Sequence, residues 1–80
     1  MNPFTVSYFG LLAERRGIPE EHVTSSASTA AELYSELDVS HQLGLSIENF
    51  RVAVNDEFVP WNQPLNPGDR IALLPPMSGG

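Results

Sequence analysis

The chain has 80 residues, 41% of them hydrophobic, and a formal net charge of −6 at pH 7. This length predicts a single domain with one core and little room for an enclosed active site. The sequence contains no cysteine, which excludes disulfides, thiolate metal sites and a thiol nucleophile on this chain. Its acidity disfavours a nucleic-acid or anionic membrane surface and favours a basic protein partner.

The N-terminal segment predicts a strand followed by a short helix. In FTVSYFG (residues 4–10), apolar and polar residues alternate, which indicates a strand with one buried face. The next segment, LLAERRG (residues 11–17), is predicted to form two helical turns that bury both Leu11 and Leu12. Gly17 is placed to end that helix, because glycine adopts the left-handed conformation common at helix C-termini.

The main helix is predicted in STAAELYSEL, after a short strand at HVTS (residues 22–25). Thr29 and Glu32 have the spacing of a capping box, in which each side chain accepts a hydrogen bond from a free backbone N–H group. Leu33 and Leu37 are four residues apart and therefore lie on one face of the helix. This pattern predicts a helix that packs its leucines on a sheet.

The C-terminal half predicts three short strands after a connector at residues 38–50, which has no clear period and leaves room for a short helix. Residues 51–55 (RVAVN) alternate, and an Asn-Asp pair forms the predicted turn to a second strand at residues 58–59. Pro60 limits that second strand to a sheet edge, because proline has no N–H group. The apolar run RIALL (residues 70–74) predicts a final, central strand buried on both faces.

The order strand, helix, strand, helix and three strands predicts an α+β fold, with a mixed sheet of about five strands packed on one main helix. Residues 1–74 would form this domain, and residues 75–80 (PPMSGG) a flexible C-terminal tail. Pro75 and Pro76 end strand pairing and keep the chain extended. Gly79 and Gly80 would make a slim end with an unhindered carboxylate, suited to a narrow active site.

The stretch VAVNDEFVPWNQPLNPGDRIALLPPMSGG resembles the C-terminal part of the molybdopterin synthase small subunits, a family of ubiquitin-like sulfur carriers with the β-grasp fold. The shared features are a Val-Asn turn, Pro-Leu before a Gly-Asp turn, an apolar strand, Pro-Pro and a terminal Gly-Gly. The N-terminal VSYFGLLAERRG is similar to the first strand and helix of that family. Arg70 and the Leu73-Leu74 pair depart from it, where an acidic residue and a phenylalanine are common.

The resemblance implies a role in molybdenum cofactor biosynthesis. The C-terminal Gly80 would be adenylated, converted to a thiocarboxylate and donate sulfur to the pterin precursor, with no turnover by this subunit alone. Gly80 is therefore the candidate catalytic residue. The predicted tail inserted into the partner is Pro75, Pro76, Met77, Ser78 and Gly79, and the predicted partner interface is Phe58, Trp61 and Leu74.

The implied partners are a large synthase subunit in a two-plus-two heterotetramer, an ATP-using adenylating enzyme and a sulfur-mobilising protein. No cofactor is expected on the chain itself, since the activating partner uses the ATP. His22 and His41 have no second ligand at metal spacing, so no metal site is predicted. Without an apolar span or a signal peptide, the expected location is cytoplasmic.

Three other functions remain open from the sequence, one of them a β-grasp binding module with no chemistry of its own. A sulfur carrier of thiazole (thiamin) synthesis would use the same chemistry, although such carriers are usually shorter and lack the connector between Leu37 and Arg51. A ubiquitin-like protein modifier would instead join Gly80 to lysines of other proteins. Because this chain has no lysine, it has no side chain on which to build polymers of itself.

Overall fold

The computed structural model describes residues 1–75, and the predicted roles of Pro76, Met77, Ser78, Gly79 and Gly80 lie outside the described residues. Two helices and five strands follow one another in the predicted order. The elements are β1 (Asn2–Tyr8), α1 (Leu11–Arg16), β2 (Glu20–Ser25), α2 (Ala30–His41), a 3₁₀ turn (Ile47–Asn49), β3 (Arg51–Val54), β4 (Glu57–Val59) and β5 (Arg70–Leu74).

The five strands form one mixed sheet in the order β2-β1-β5-β3-β4. Strands β1 and β5 are parallel, and the other three pairs are antiparallel. The Asn-Asp turn between β3 and β4 has positive φ at both residues, 52° and 72°, as a tight hairpin requires. This geometry confirms the predicted hairpin, the mixed sheet and the edge position of the strand that precedes Pro60.

One face of the sheet, here called the inner face, packs against α2. The alternation predicted for β1 is confirmed, because Phe4, Val6 and Tyr8 are at most 2% exposed while Thr5 and Ser7 between them are half-buried. The two predicted leucines of α2 are 1% and 5% exposed. The main inner-face and helix residues of the core are Phe4, Val6, Tyr8, Leu33, Leu37, Val52, Ile71 and Leu73.

The opposite face of the sheet, here called the outer face, is covered by no helix within residues 1–75. The central position of β5 is confirmed, but the prediction that β5 is buried on both faces is wrong. Ile71 and Leu73 point into the core, whereas Arg70 is exposed and Ala72 and Leu74 are half-buried. An apolar run in a central strand therefore does not require a second covering layer when the outer residues are small or partly accessible.

The start of α2 confirms the capping prediction. The backbone N–H of Glu32 donates to Thr29 Oγ1 at 3.2 Å, and Glu32 Oε1 accepts from the backbone N–H of Ser28 at 3.0 Å. The helix continues to His41, so placing residues 38–41 in the connector was wrong. Leu43, just after the helix, is fully buried and anchors this end to the core.

Helix α1 also differs from the prediction. Leu12 is fully buried, but Leu11 is 46% exposed. Consecutive helical residues point about 100° apart, and a helix of six residues packs only a narrow face against the sheet. The prediction that α1 buries both leucines was therefore wrong. Gly17 ends this helix with φ 84°, as predicted.

A polar cluster ties α1 to β1 and β2. Glu21 accepts two hydrogen bonds from the Arg16 guanidinium, at 2.8 and 2.7 Å, and one from the Tyr8 hydroxyl at 2.6 Å. The hydrogen bond from Arg16 is the main reason why the pKa of Glu21 is lowered. Burial is the main reason why the pKa of Tyr8 is raised. All three polar groups have partners, so this cluster stabilises the fold.

Neither helix described between residues 1 and 75 is long and apolar enough to cross a lipid bilayer.

Candidate functional site at the start of the C-terminal tail

The C-terminal tail begins at the centre of the sheet. Strand β5 lies between β1 and β3, and its last residue, Leu74, is paired with Arg51. On the other side, the backbone N–H of Phe9 donates to the Leu73 carbonyl at 3.2 Å. Both neighbouring strands therefore hold β5 up to its end, and the chain leaves the sheet at Pro75 from a fixed position.

Gly10 lies directly against Pro75. Its φ of 61° and ψ of −135° are essentially restricted to glycine. A Cβ atom at this position would lie 3.4 Å from Pro75 Cγ. Gly10 therefore turns the chain from β1 into α1 in a conformation that other residues rarely adopt, and this turn contacts the first residue of the tail.

We expect Gly10→Ala to destabilise the domain by about 2–3 kcal/mol, because alanine is strongly strained in this conformation. The matched control is Gly17→Ala. Gly17 also has a positive φ, 84°, but a Cβ atom there would have no other atom of residues 1–75 within 4 Å beyond its chain neighbours. Gly17 has the left-handed helical conformation (φ 84°, ψ 0°), which alanine adopts at a smaller cost, so the control should lose only about 1 kcal/mol. Urea unfolding of both variants checks this, and equal losses would contradict the greater strain assigned to the Gly10 conformation.

An apolar surface surrounds the point where the tail starts. Phe58 is 54% exposed and Phe9 is 46% exposed, which is unusual for large aromatic residues in so small a domain. Phe58 is paired with Ala53, which is paired in turn with Ala72 of β5, so the three form one row across the outer face. We call the following residues the exit surface: Phe9, Phe58, Ala72, Leu74 and Pro75.

The structure brings most of the predicted interface residues together. Phe58, Leu74 and Pro75 all belong to the exit surface. Trp61 does not, because it packs edge-on against Tyr34 of α2 with the ring centroids 5.7 Å apart, on the inner side of the sheet. Its half-buried position matches a structural role, so an interface on the exit surface would not include it.

Three residues near the tail were not recognised from the sequence. Phe9 and Gly10 lie beside the end of β5, and Arg51 places its guanidinium carbon 4.5 Å from the centroid of the Phe58 ring. Arg51 and Phe58 are seven positions apart, and only the register of the β3–β4 hairpin brings them together. Pairing the two predicted strands about their Asn-Asp turn would have placed Arg51 near Phe58.

The exit surface combines apolar side chains with two neighbouring cations, Arg51 over the Phe58 ring and Arg70 beside Phe9 and Ala72. It contains neither a nucleophile nor a base within reach of one, which favours recognition of a partner over chemistry at this surface. Among residues 1–75, no three His, Asp or Glu side chains lie close enough together to hold a metal ion.

Comparison with known proteins gives the family. The ThiS family model matches residues 6–80, which is nearly the whole chain. The chain belongs to the ThiS family. Its fold is also the expected one, because the similar structures are ubiquitin-like β-grasp proteins.

Three relatives show what this ThiS family member is similar to. The chain is 34% identical to the molybdopterin synthase sulfur carrier subunit of Homo sapiens, over 94% of this chain and 91% of that protein. It is 30% identical to a chain in the complex of subunits 1 and 2 of the molybdopterin-converting factor from Helicobacter pylori, with a TM-score of 0.68 over 98% of this chain and 99% of that one. SAMP1 from Haloferax volcanii is 25% identical, with a TM-score of 0.80 over 99% of this chain and 100% of that one.

Proposed function

We propose that this chain is the sulfur-carrier subunit of a molybdopterin synthase, with the sulfur carried on Gly80. The observation that carries the proposal is a family match that runs to residue 80 and so includes the Gly-Gly end. The identity to the human sulfur carrier subunit supports the same role. The position of β5 supports it as well, because a central, fully paired strand delivers the tail from a rigid base.

The proposed chemistry takes place at the Gly80 carboxylate. A carboxylate is a poor electrophile, so an adenylating partner first joins it to AMP from ATP and releases pyrophosphate. A sulfur nucleophile, supplied by a sulfur-mobilising protein, then attacks the acyl carbon and displaces AMP. The resulting thiocarboxylate is a soft nucleophile, like a thiolate, and its sulfur adds to an electrophilic carbon of the pterin precursor bound by the large subunit. Water then cleaves the acyl–sulfur bond, which leaves the sulfur on the pterin and restores the Gly80 carboxylate.

The described residues would provide recognition in this scheme. The exit surface is apolar and surrounds the base of the tail, so a partner that binds the tail also meets Phe58 and Leu74. Burial of such residues favours a complex, because it removes apolar area from water. The large synthase subunit, in a two-plus-two heterotetramer, is the proposed partner. A complex of subunits 1 and 2 of the molybdopterin-converting factor is known for the Helicobacter pylori relative.

The proposal is tested by reconstitution. The purified chain is incubated with the adenylating enzyme, ATP and sulfide, and its intact mass is recorded. We expect a product heavier by the difference between one sulfur and one oxygen atom, and omission of ATP should prevent it. Unmodified carboxylate alone would contradict the carrier role. A thiocarboxylate that the large subunit cannot transfer to the pterin precursor would contradict only the assignment to molybdopterin synthase.

The likeness to SAMP1, described as a small archaeal modifier protein, supports a second candidate function. A modifier would form an amide bond between Gly80 and a lysine of another protein. The same activated chain distinguishes the two functions when it is incubated with a lysate of its host. Stable adducts that resist thiol treatment indicate a modifier, whereas a carrier remains a free chain.

A further inference from the structure

Arg51 differs from the other arginines in its surroundings. Within residues 1–75, its guanidinium group has neither a carboxylate nor a carbonyl oxygen as a hydrogen-bond acceptor. It lies over the exposed ring of Phe58 instead. The other three guanidinium groups each donate to an oxygen atom of the chain: Arg15 to the Leu43 carbonyl at 2.7 Å, Arg16 to Glu21 at 2.7 Å and Arg70 to Asp56 at 3.0 Å.

The position of Arg51 connects it to the tail. In the antiparallel register of β3 and β5, Arg51 stands directly opposite Leu74, and residues in that relation point to the same face of the sheet. Its charge therefore lies on the outer face beside the last residue of β5. The Phe58 ring limits the directions that the long side chain samples but leaves the N–H donors of the guanidinium accessible.

We propose that Arg51 is a specificity residue that binds an acidic side chain of the large synthase subunit at the mouth of the cleft receiving the tail. This inference rests on the proposed function. A guanidinium presents a planar set of donors that matches a carboxylate in a two-point geometry. Because Phe58 already restrains Arg51, less side-chain freedom is lost when that carboxylate binds.

Reversing the charge at Arg51 distinguishes this proposal from a general electrostatic attraction between the chain and its partner. The chain carries a net charge of −6 and is expected to approach a basic partner. If only net charge mattered, replacing an arginine with glutamate would strengthen binding, because the chain becomes more negative. If Arg51 binds a carboxylate, the same change must weaken binding, since it places two negative charges in contact.

The test is to compare Arg51→Glu with Arg70→Glu. Both substitutions change the net charge equally, and both arginines are exposed on the outer face. Arg70 lies four residues before Leu74, about 13 Å along the strand. It borders Phe9 and Ala72 of the exit surface, where its guanidinium is already paired with Asp56. Binding of each variant to the purified large subunit is measured by surface plasmon resonance at two salt concentrations. We expect Arg51→Glu to raise Kd roughly 10- to 100-fold, mainly through faster dissociation.

Arg70→Glu should leave Kd within about threefold of wild type or lower it. Arg51→Gln keeps much of the side chain while removing the charge, and it should give an intermediate Kd with a smaller dependence on salt. Circular dichroism confirms that each variant is folded. Wild-type affinity of Arg51→Glu, or equal effects of both Glu variants, would overturn the proposed role of Arg51 and leave the proposed function unaffected. A wild-type chain that does not bind the large subunit would overturn the proposed function as well.

Discussion

Removal of Gly79 and Gly80 is expected to abolish sulfur transfer and to leave thermal unfolding almost unchanged. The deletion removes the proposed sulfur-bearing residue and shortens the reach of the tail. The buried apolar core of the described chain runs from Phe4 to Leu73, so the deletion takes away none of these core residues. Activity and stability should therefore separate completely in this variant, as measured by transfer assays and thermal melts.

Single substitutions at Gly79 test whether the end of the tail must be narrow for sulfur transfer. Gly79→Val should reduce transfer far more than binding, because a β-branched side chain widens and stiffens the end of the tail. Gly79→Ala is the matched control and should retain more transfer activity. A wild-type transfer rate in Gly79→Val would contradict the idea that a narrow channel requires glycine. A large loss of stability on deleting both glycines would show that the tail contributes to the fold.

The second large effect concerns the core. Val6 is fully buried in β1, where it stands opposite Ile71 of β5. Val6→Asp would bury a carboxylate without a partner, at a cost of several kcal/mol. A domain of this size has a total stability of about 5 kcal/mol, so we expect this variant to be largely unfolded at room temperature.

The matched control for Val6→Asp is Thr5→Asp, one position earlier on the same strand. Thr5 points to the outer face, is half-buried, and lies opposite Arg70 and His22. An aspartate there meets water and basic neighbours, so its effect on stability should stay within about 1 kcal/mol. Circular dichroism melts of both variants check the alternation of β1. Similar losses in the two variants would contradict the assigned inner and outer faces.

The elements predicted best from the sequence are those whose conformation depends on residues close to them in the chain. The alternation of Phe4, Val6 and Tyr8 reflects a strand with one buried face. The capping of α2 by Thr29 depends on atoms within four residues. The turn between β3 and β4 depends on an Asn-Asp pair that tolerates positive φ. Each of these features is set by neighbouring residues, so the sequence pattern was sufficient.

The structural predictions were wrong where long-range packing determines the conformation. Residues 38–41 are helical because the buried Leu43 holds the end of α2 against the core, which no local period reveals. Leu11 is exposed because α1 is too short to turn two adjacent leucines inward. The outer face of β5 is partly accessible because the protein has only two layers within residues 1–75, a property of the whole fold.

For the candidate site too, local features were predicted and contacts that depend on the fold were not. Leu74 and Pro75 were identified from their positions at the start of the tail, Phe58 was added as a further apolar residue, and the structure places all three on one surface. Trp61 was selected for its residue type, but its contact with Tyr34 depends on the path of the chain between β4 and β5. Arg51 was missed because its contact with Phe58 exists only in the folded hairpin.

The central claim is that Gly80 carries sulfur, and the intact mass of the protein isolated from its native host tests it most directly. We predict a fraction of molecules heavier by one sulfur-for-oxygen exchange, with fragmentation placing the added mass on the last residue. Treatment with an alkylating reagent should modify that fraction alone, since the chain contains no cysteine. Only unmodified carboxylate, or added mass located anywhere else in the chain, would contradict the account.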